Sequence, residues 1–382
     1  MAGAEKVVDG GRLLDEAELP DDLREGVAPG LEASLASLST ESGLSEEGHA
    51  RALDYFRDNL RRLSLIAADR AAYPEIAEVA IERPVFILGL PRCGTSLLHA
   101  LIGADPGART PLMWEVAAPS PPPVAATFDH DPRADAFDAY VDANFHGKWA
   151  DVRKAHPIGA RIPQECGMLL ETSFRSLNPT MLFRLRDYYR WCLTADFTFA
   201  YQIHRMWLQH LAWKNPRRRW VLKVQEHMYH VPELLAVYPD ALLVQPHRDP
   251  VTVIASISRL IEVLRSVAFA DQDRVELGEE LLHLWHDGQA RLIALRQQRD
   301  LPIHDMRYTD IARDPIAAVR GVYAFADMDF TPEAERAMRG WLADNPADKH
   351  GRHHYVLGDF GLTEQRVREV YADYIETYAE YL

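Results

Sequence analysis

The sequence predicts an α/β protein: a three-layer α/β/α domain around a central parallel sheet, with additional N-terminal helices and a helical insertion. Three observations predict it. Largely apolar runs at Val85–Leu88, Trp220–Lys223, Pro239–Gln245 and Pro302–Tyr308 have the length of strands buried on both faces. Stretches with helical apolar spacing separate them, so successive strands are joined by crossover helices and lie parallel. The first run passes into a tight loop, Gly89-Leu-Pro-Arg-Cys-Gly94, and then into a helix beginning Thr95-Ser96.

Each element has its own justification. Residues 1–80 read as a helical extension packed on the main domain, 81–382. Asp21-Asp22 and Ser45-Glu46-Glu47 mark helix starts, where acids face the positive end of the helix dipole. Leu53, Phe56, Leu60, Leu63 and Ile66 follow at helical spacing as a packing face, and Arg57, Arg61 and Arg62 are expected on a solvated face. Ala118-Pro-Ser-Pro-Pro-Pro123 stops regular structure, because proline has no amide donor. Residues 124–215 form a long insertion of helix formers and aromatics, including Phe137, Tyr188, Tyr201 and Trp207. Most of these aromatics are expected in helix cores and a minority along an apolar pocket. Inside the insertion, His156 to Cys166 is a polar loop broken by prolines and containing Glu165. Helices are expected over Val251–Leu264 and Leu281–Leu295, and Asp314-Pro315 starts another as an N-cap with proline behind it.

Charge and cysteine content narrow the function. Lysines and arginines number 42 against 57 acids, a net charge of −15, which excludes nucleic-acid binding through bulk charge. Any polyanion must be met locally. Cys93, Cys166 and Cys192 are odd in number and widely spaced, which argues against a disulfide framework, and no Cys–His cluster suggests zinc. No run of 18 apolar residues occurs, so no membrane span is expected; the first residues lack a signal peptide's apolar stretch, and a cytoplasmic location is the expectation.

The first loop is an anion site in outline. Its backbone amides and the free amides of the helix start suit a phosphate. Gly89-x4-Gly94 has P-loop spacing, but Thr95-Ser96 stands where a P-loop has Lys-Ser or Lys-Thr. The cation is instead Arg92, within the loop, which suits a 5′-phosphate without a triphosphate tail. A second constellation follows the third apolar run: Arg248, then Ser256 eight residues on, a fork and a hydroxyl for another phosphate.

Pro91-Arg92-Cys93-Gly94-Thr95-Ser96 after an N-proximal strand resembles the 5′-phosphosulfate loop of the sulfotransferases that use 3′-phosphoadenosine 5′-phosphosulfate (PAPS). Arg248 and Ser256 resemble that family's 3′-phosphate motif, and Lys349-His350-Gly351-Arg352 resembles its basic loop over the nucleotide. Tyr308 stands where the family keeps a tyrosine near the nucleotide. The resemblance runs from about residue 84 to 362 and is closest to bacterial members. It implies a sulfotransferase fold and in-line sulfuryl transfer from PAPS to an acceptor hydroxyl or amine, with PAP as product and no required metal. The cofactor-binding residues it implies are Arg92, Cys93, Gly94, Thr95, Ser96, Arg248, Ser256, Tyr308 and the tail loop. Lys223 is implied at the phosphosulfate end. For the general base, His227 leads, since it follows Lys223 as the family histidine follows its lysine, although at wider spacing. Glu115 is the second choice, 21 residues beyond Gly94, and Glu165 the third. The insertion is expected to cap a small acceptor: an alcohol, phenol, sterol or lipid-linked sugar. A small-molecule kinase using ATP and a non-catalytic nucleotide-binding protein are the alternatives, and a homo-oligomer is left open.

Overall fold

The computed structural model describes residues 9–40, 43–216, 219–346 and 356–382. Five parallel strands form its sheet: β1 (Val85–Ile87), β2 (Ala108–Arg109), β3 (Arg219–Lys223), β4 (Leu242–His247) and β5 (Ile303–Arg307). Their spatial order is β2-β3-β1-β4-β5. β1 is therefore central, with Val85 opposite Val221 on one side and Leu242 on the other. The four anticipated strands are present, and β2 is the addition. It is only two residues long and pairs Ala108 and Arg109 with Arg219 and Trp220.

The sheet is covered on both faces, and the alternation of side chains shows it. Val85 and Ile87 pack into one cluster with Leu98, Leu101, Val221 and Val319. Phe86 and Leu88 point the other way, into the larger core with Leu222, Leu243 and Trp207. A two-residue period thus feeds two separate cores, as a three-layer arrangement requires.

The N-terminal helices α1 (Gly10–Glu16), α2 (Asp21–Thr40) and α3 (Glu46–Ala72) lie against the larger core. Ser45 caps α3, its Oγ accepting from the Gly48 amide at 3.0 Å. Phe56, Leu63 and Ile66 are fully buried, each worth about 1.5–3 kcal/mol of hydrophobic stabilisation. The solvated arginine face needs one correction. Arg57 and Arg61 are exposed, but Arg62 is 2% exposed and bonds Glu171 at 2.7 Å. Its position on the helix is polar by residue type only, because the insertion supplies a buried carboxylate to meet it.

Candidate active site

The loop after β1 runs into α4 (Thr95–Gly103). Gly94 has φ +86°, and a Cβ there would lie 3.2 Å from Ile311 and 3.4 Å from the Tyr308 ring. Only glycine fits that backbone without strain. Arg92 also takes positive φ, at 62°. Its Nε donates to Ser256 Oγ at 3.1 Å, and its carbonyl accepts from Arg248 Nη1 at 2.8 Å. Arg248 in turn lies 3.9 Å over the Tyr308 ring. The loop, the Arg248–Ser256 pair and Tyr308, far apart in sequence, thus meet at the carboxyl ends of β1, β4 and β5. Cys93 is fully buried, and burial pushes its thiol up to about 12; it packs beneath the loop.

The neighbouring strand supplies the second half of the site. Lys223 ends β3, is 2% exposed, and donates to Ser96 Oγ at 3.2 Å and to the Glu165 carboxylate. Gln225, two residues on, donates to Thr95 Oγ1 at 3.3 Å. Glu165 and Lys223 form an ion pair. Burial raises the Glu165 pKa, but Lys223 and His156 outweigh it and hold the carboxyl below its usual range.

A cavity of about 610 Å³ opens against these groups. Its polar end carries Arg92, Thr95, Ser96, Glu165, His156 and Arg248. Its apolar wall comes from Met113, Val116, Met168, Met181, Leu260 and Leu264, among others. Phe137 is the member of the insertion's aromatic set found in this wall; Tyr188, Tyr201 and Trp207 are buried as core. Flexible methionines and aliphatics thus shape the chamber. Asp58 and Arg62 of α3 also reach it, so the N-terminal helices help to build it.

Two sequence candidates for the base stand elsewhere. His227 is fully buried, its Nδ1 2.8 Å from the Tyr201 hydroxyl and its ring edge-on to Phe86. Burial, with His204 and His230 nearby, drives its pKa well below the usual value. Glu115 is also fully buried; Arg109 Nη1 donates to it at 2.9 Å and the Leu112 amide at 2.9 Å. Neither lines the chamber. Lys349, His350, Gly351 and Arg352 lie outside the described residues. The sequence reading passed over Gln225 and His156. Gln225 was accessible through strand period: it shares the face of Lys223, two residues before it.

The matching family model, described as "Sulfotransferase family", spans residues 84–332. The chain belongs to the sulfotransferase family. In solved structures this sulfotransferase is similar to sulfotransferase STF9 from Mycobacterium avium, at 28% identity, with 99% of this chain and 98% of that one covered and a TM-score of 0.86. It is equally similar to STF1 from Mycobacterium tuberculosis H37Rv, at 29% identity, 97% and 100% coverage, and TM-score 0.85. It is also 26% identical over 329 residues to the omega-hydroxy-beta-dihydromenaquinone-9 sulfotransferase Stf3 of Mycobacterium bovis, covering 79% of this chain and 77% of that protein. Among the described residues, no helix is long and apolar enough to cross a membrane.

Two histidines, His99 of α4 and His204, are buried in the folded protein. Burial lowers His99 and His204 to about 3, with Lys223 adding to the effect at His99. An unfolded histidine binds its proton near pH 6.5, so the unfolded state holds more protons between there and about pH 3. Stability is therefore full above pH 6.5 and falls on acidification, by about 1.4 kcal/mol per pH unit for each histidine. Urea midpoints measured from pH 7 down to pH 5 check this; a flat profile contradicts it.

Proposed function

We propose that this sulfotransferase moves a sulfuryl group from PAPS to the hydroxyl of a small, apolar, lipid-like acceptor, with Glu165 taking the hydroxyl proton. The observation that supports it most is the junction of a phosphate-type loop and a lysine-held carboxylate at one end of an apolar chamber. One mycobacterial relative is named for an omega-hydroxy-beta-dihydromenaquinone-9, and a chamber of this lining suits a hydroxylated lipid.

The residues present fit PAPS. The Gly94 backbone leaves room where a side chain would press on Tyr308, and the α4 amides face the same region. Arg92, Thr95, Ser96 and Lys223 would hold the 5′-phosphosulfate, and Arg248 with Ser256 the 3′-phosphate, with Tyr308 beside them. PAPS supplies an activated sulfur–oxygen bond; the chain's own work is positioning and charge stabilisation. A new bond forms from the acceptor oxygen to sulfur, the bond from sulfur to the 5′-phosphate oxygen breaks, and the hydroxyl proton passes to Glu165. Lys223 couples the two events. As its ammonium group turns toward the negative charge growing on the leaving phosphate, Glu165 loses its counter-charge and becomes more basic.

Thermal stability of the purified protein tests the donor. PAP at 100 times its Kd is expected to add about 2.7 kcal/mol, whereas ATP with Mg²⁺ adds nothing. In Arg248→Ala the advantage of PAP over its 3′-dephospho analogue is expected to disappear. A shift with ATP alone would point to a kinase, and an unchanged ratio in Arg248→Ala would remove the 3′-phosphate assignment.

A further inference from the structure

β4 ends at His247, and Arg248 follows it into the site. The C-terminal segment, with helices over Glu364–Val370 and Ala372–Thr377, holds this strand end from behind. His247 is fully buried under its aromatic rings: Tyr378 stacks on the imidazole at 4.1 Å, and Tyr381 lies at 5.3 Å. The His247 Nε2 is 2.9 Å from Asp305, and its Nδ1 is 3.1 Å from the Tyr374 hydroxyl. The Arg248 backbone amide is directed at that same hydroxyl. One residue on, Asp249 caps the next helix at the Val251 amide and accepts from Arg368 at 3.2 Å. Donor and acceptor roles along the chain are fixed. Burial raises the Asp305 pKa, but two bonds from Arg296, at 2.8 and 2.7 Å, and one from His247 hold the carboxyl at about 2. A carboxylate only accepts, so His247 carries its proton on Nε2. Burial keeps the ring neutral against the pull of Asp305, which leaves Nδ1 to accept from the Tyr374 hydroxyl. The Tyr374 oxygen is then free to accept from the Arg248 amide.

We propose that Tyr374 is a positioning residue for the nucleotide: through His247 and the Arg248 amide it fixes the backbone from which the Arg248 guanidinium reaches, and so sets the preference for a nucleotide bearing a 3′-phosphate. The inference rests on the reading that Arg248 holds that phosphate, and it adds a residue that the phosphate does not touch. The Arg248 side chain meets the Arg92 carbonyl and the Tyr308 ring on the ligand side. Its backbone is anchored on the opposite side, by a tyrosine 126 residues further along the chain. A guanidinium fork recognises phosphate by direction as well as by charge, so a tilt at its root is felt at its tip. Tyr374 is itself fully buried and packs edge-on to Tyr371 and tilted against Tyr378, which leaves its hydroxyl one place to point.

The test measures, by calorimetry, affinity for PAP and for its 3′-dephospho analogue, adenosine 5′-monophosphate. Tyr374→Phe keeps the ring and removes the hydroxyl. It is expected to cut the wild-type preference for PAP roughly 10-fold, the size of one hydrogen bond, with affinity for the monophosphate unchanged. In an Arg248→Ala background the same change should have no further effect on the preference, because the hydroxyl acts through the arginine. Hydrogen exchange reads the coupling in the wild type, whether or not the variant folds. At equal saturation PAP should slow exchange within residues 364–382 more than the monophosphate does, since coupling between two sites is reciprocal. A hydroxyl that only supports the fold would weaken both ligands alike, or lower the preference by the same factor without Arg248. Either result, an unchanged preference in Tyr374→Phe, or equal protection by the two ligands overturns the proposal. If Arg248→Ala keeps the wild-type preference, or the wild type has none, the 3′-phosphate reading fails and the proposal with it. If Arg248→Ala abolishes the preference and Tyr374→Phe leaves it intact, the role of Tyr374 alone is refuted.

Discussion

Glu165→Gln lowers the single-turnover rate of dodecan-1-ol sulfation at least ~100-fold, the lower end of general-base contributions, while PAP affinity stays near wild type. The expectation comes from geometry. Glu165 is the carboxylate at the junction of loop and chamber, and Lys223 and His156 keep it ionised despite its burial. Glutamine preserves its shape and its oxygen but cannot take a proton. Rapid-quench measurement of sulfated product, beside PAP calorimetry on the same preparation, separates the outcomes. A loss confined to PAP affinity would make Glu165 an anchor for Lys223. A wild-type rate would end its assignment and bring forward His156, which lines the same chamber.

Glu115→Ala destabilises the fold by about 3–5 kcal/mol and leaves the turnover of the folded molecules unchanged. Arg109 is 3% exposed and Glu115 is fully buried, so removing the carboxylate strands a guanidinium group in the core. Arg109 also lies over the rings of Phe128, at 5.1 Å, and Trp220, at 4.9 Å, which leaves it little freedom to reach water. Urea unfolding should show a lower midpoint with an unchanged slope. A stable variant with a lost rate would return Glu115 to the chemistry.

The fold was legible because its signals are local. β1, β3, β4 and β5 are apolar runs between helical periods, and the capped helix starts at Ser45 and Asp314 hold in the structure. β2 escaped because two residues carry no period; it exists through its pairing with β3. The loop residues, Arg248, Ser256 and Tyr308 were found by spacing after strands, and they do converge. The candidate base was less legible. The wider Lys223–His227 spacing turns the histidine into the core beside Tyr201, whereas Gln225 takes the place facing Thr95. Glu165 sits in a loop with no periodic pattern. What brings it to Lys223 is the course of the insertion, fixed in part by the Cys166 amide donating to the Lys223 carbonyl at 2.9 Å. Such long-range closure has no local sequence mark.

The Arg62–Glu171 pair links α3 to the insertion through two side chains that are almost wholly buried. Tyr55 and Asn178 share the same carboxylate, so the joint is one network rather than one contact. Because both segments also border the chamber, acceptor preference is not the property of a single exchangeable piece. A chimaera that takes its N-terminal helices from one relative and its insertion from another would inherit a mismatched lock. Unless the arginine and the glutamate travel together, the graft would meet a buried charge with no mate before it ever met a new substrate.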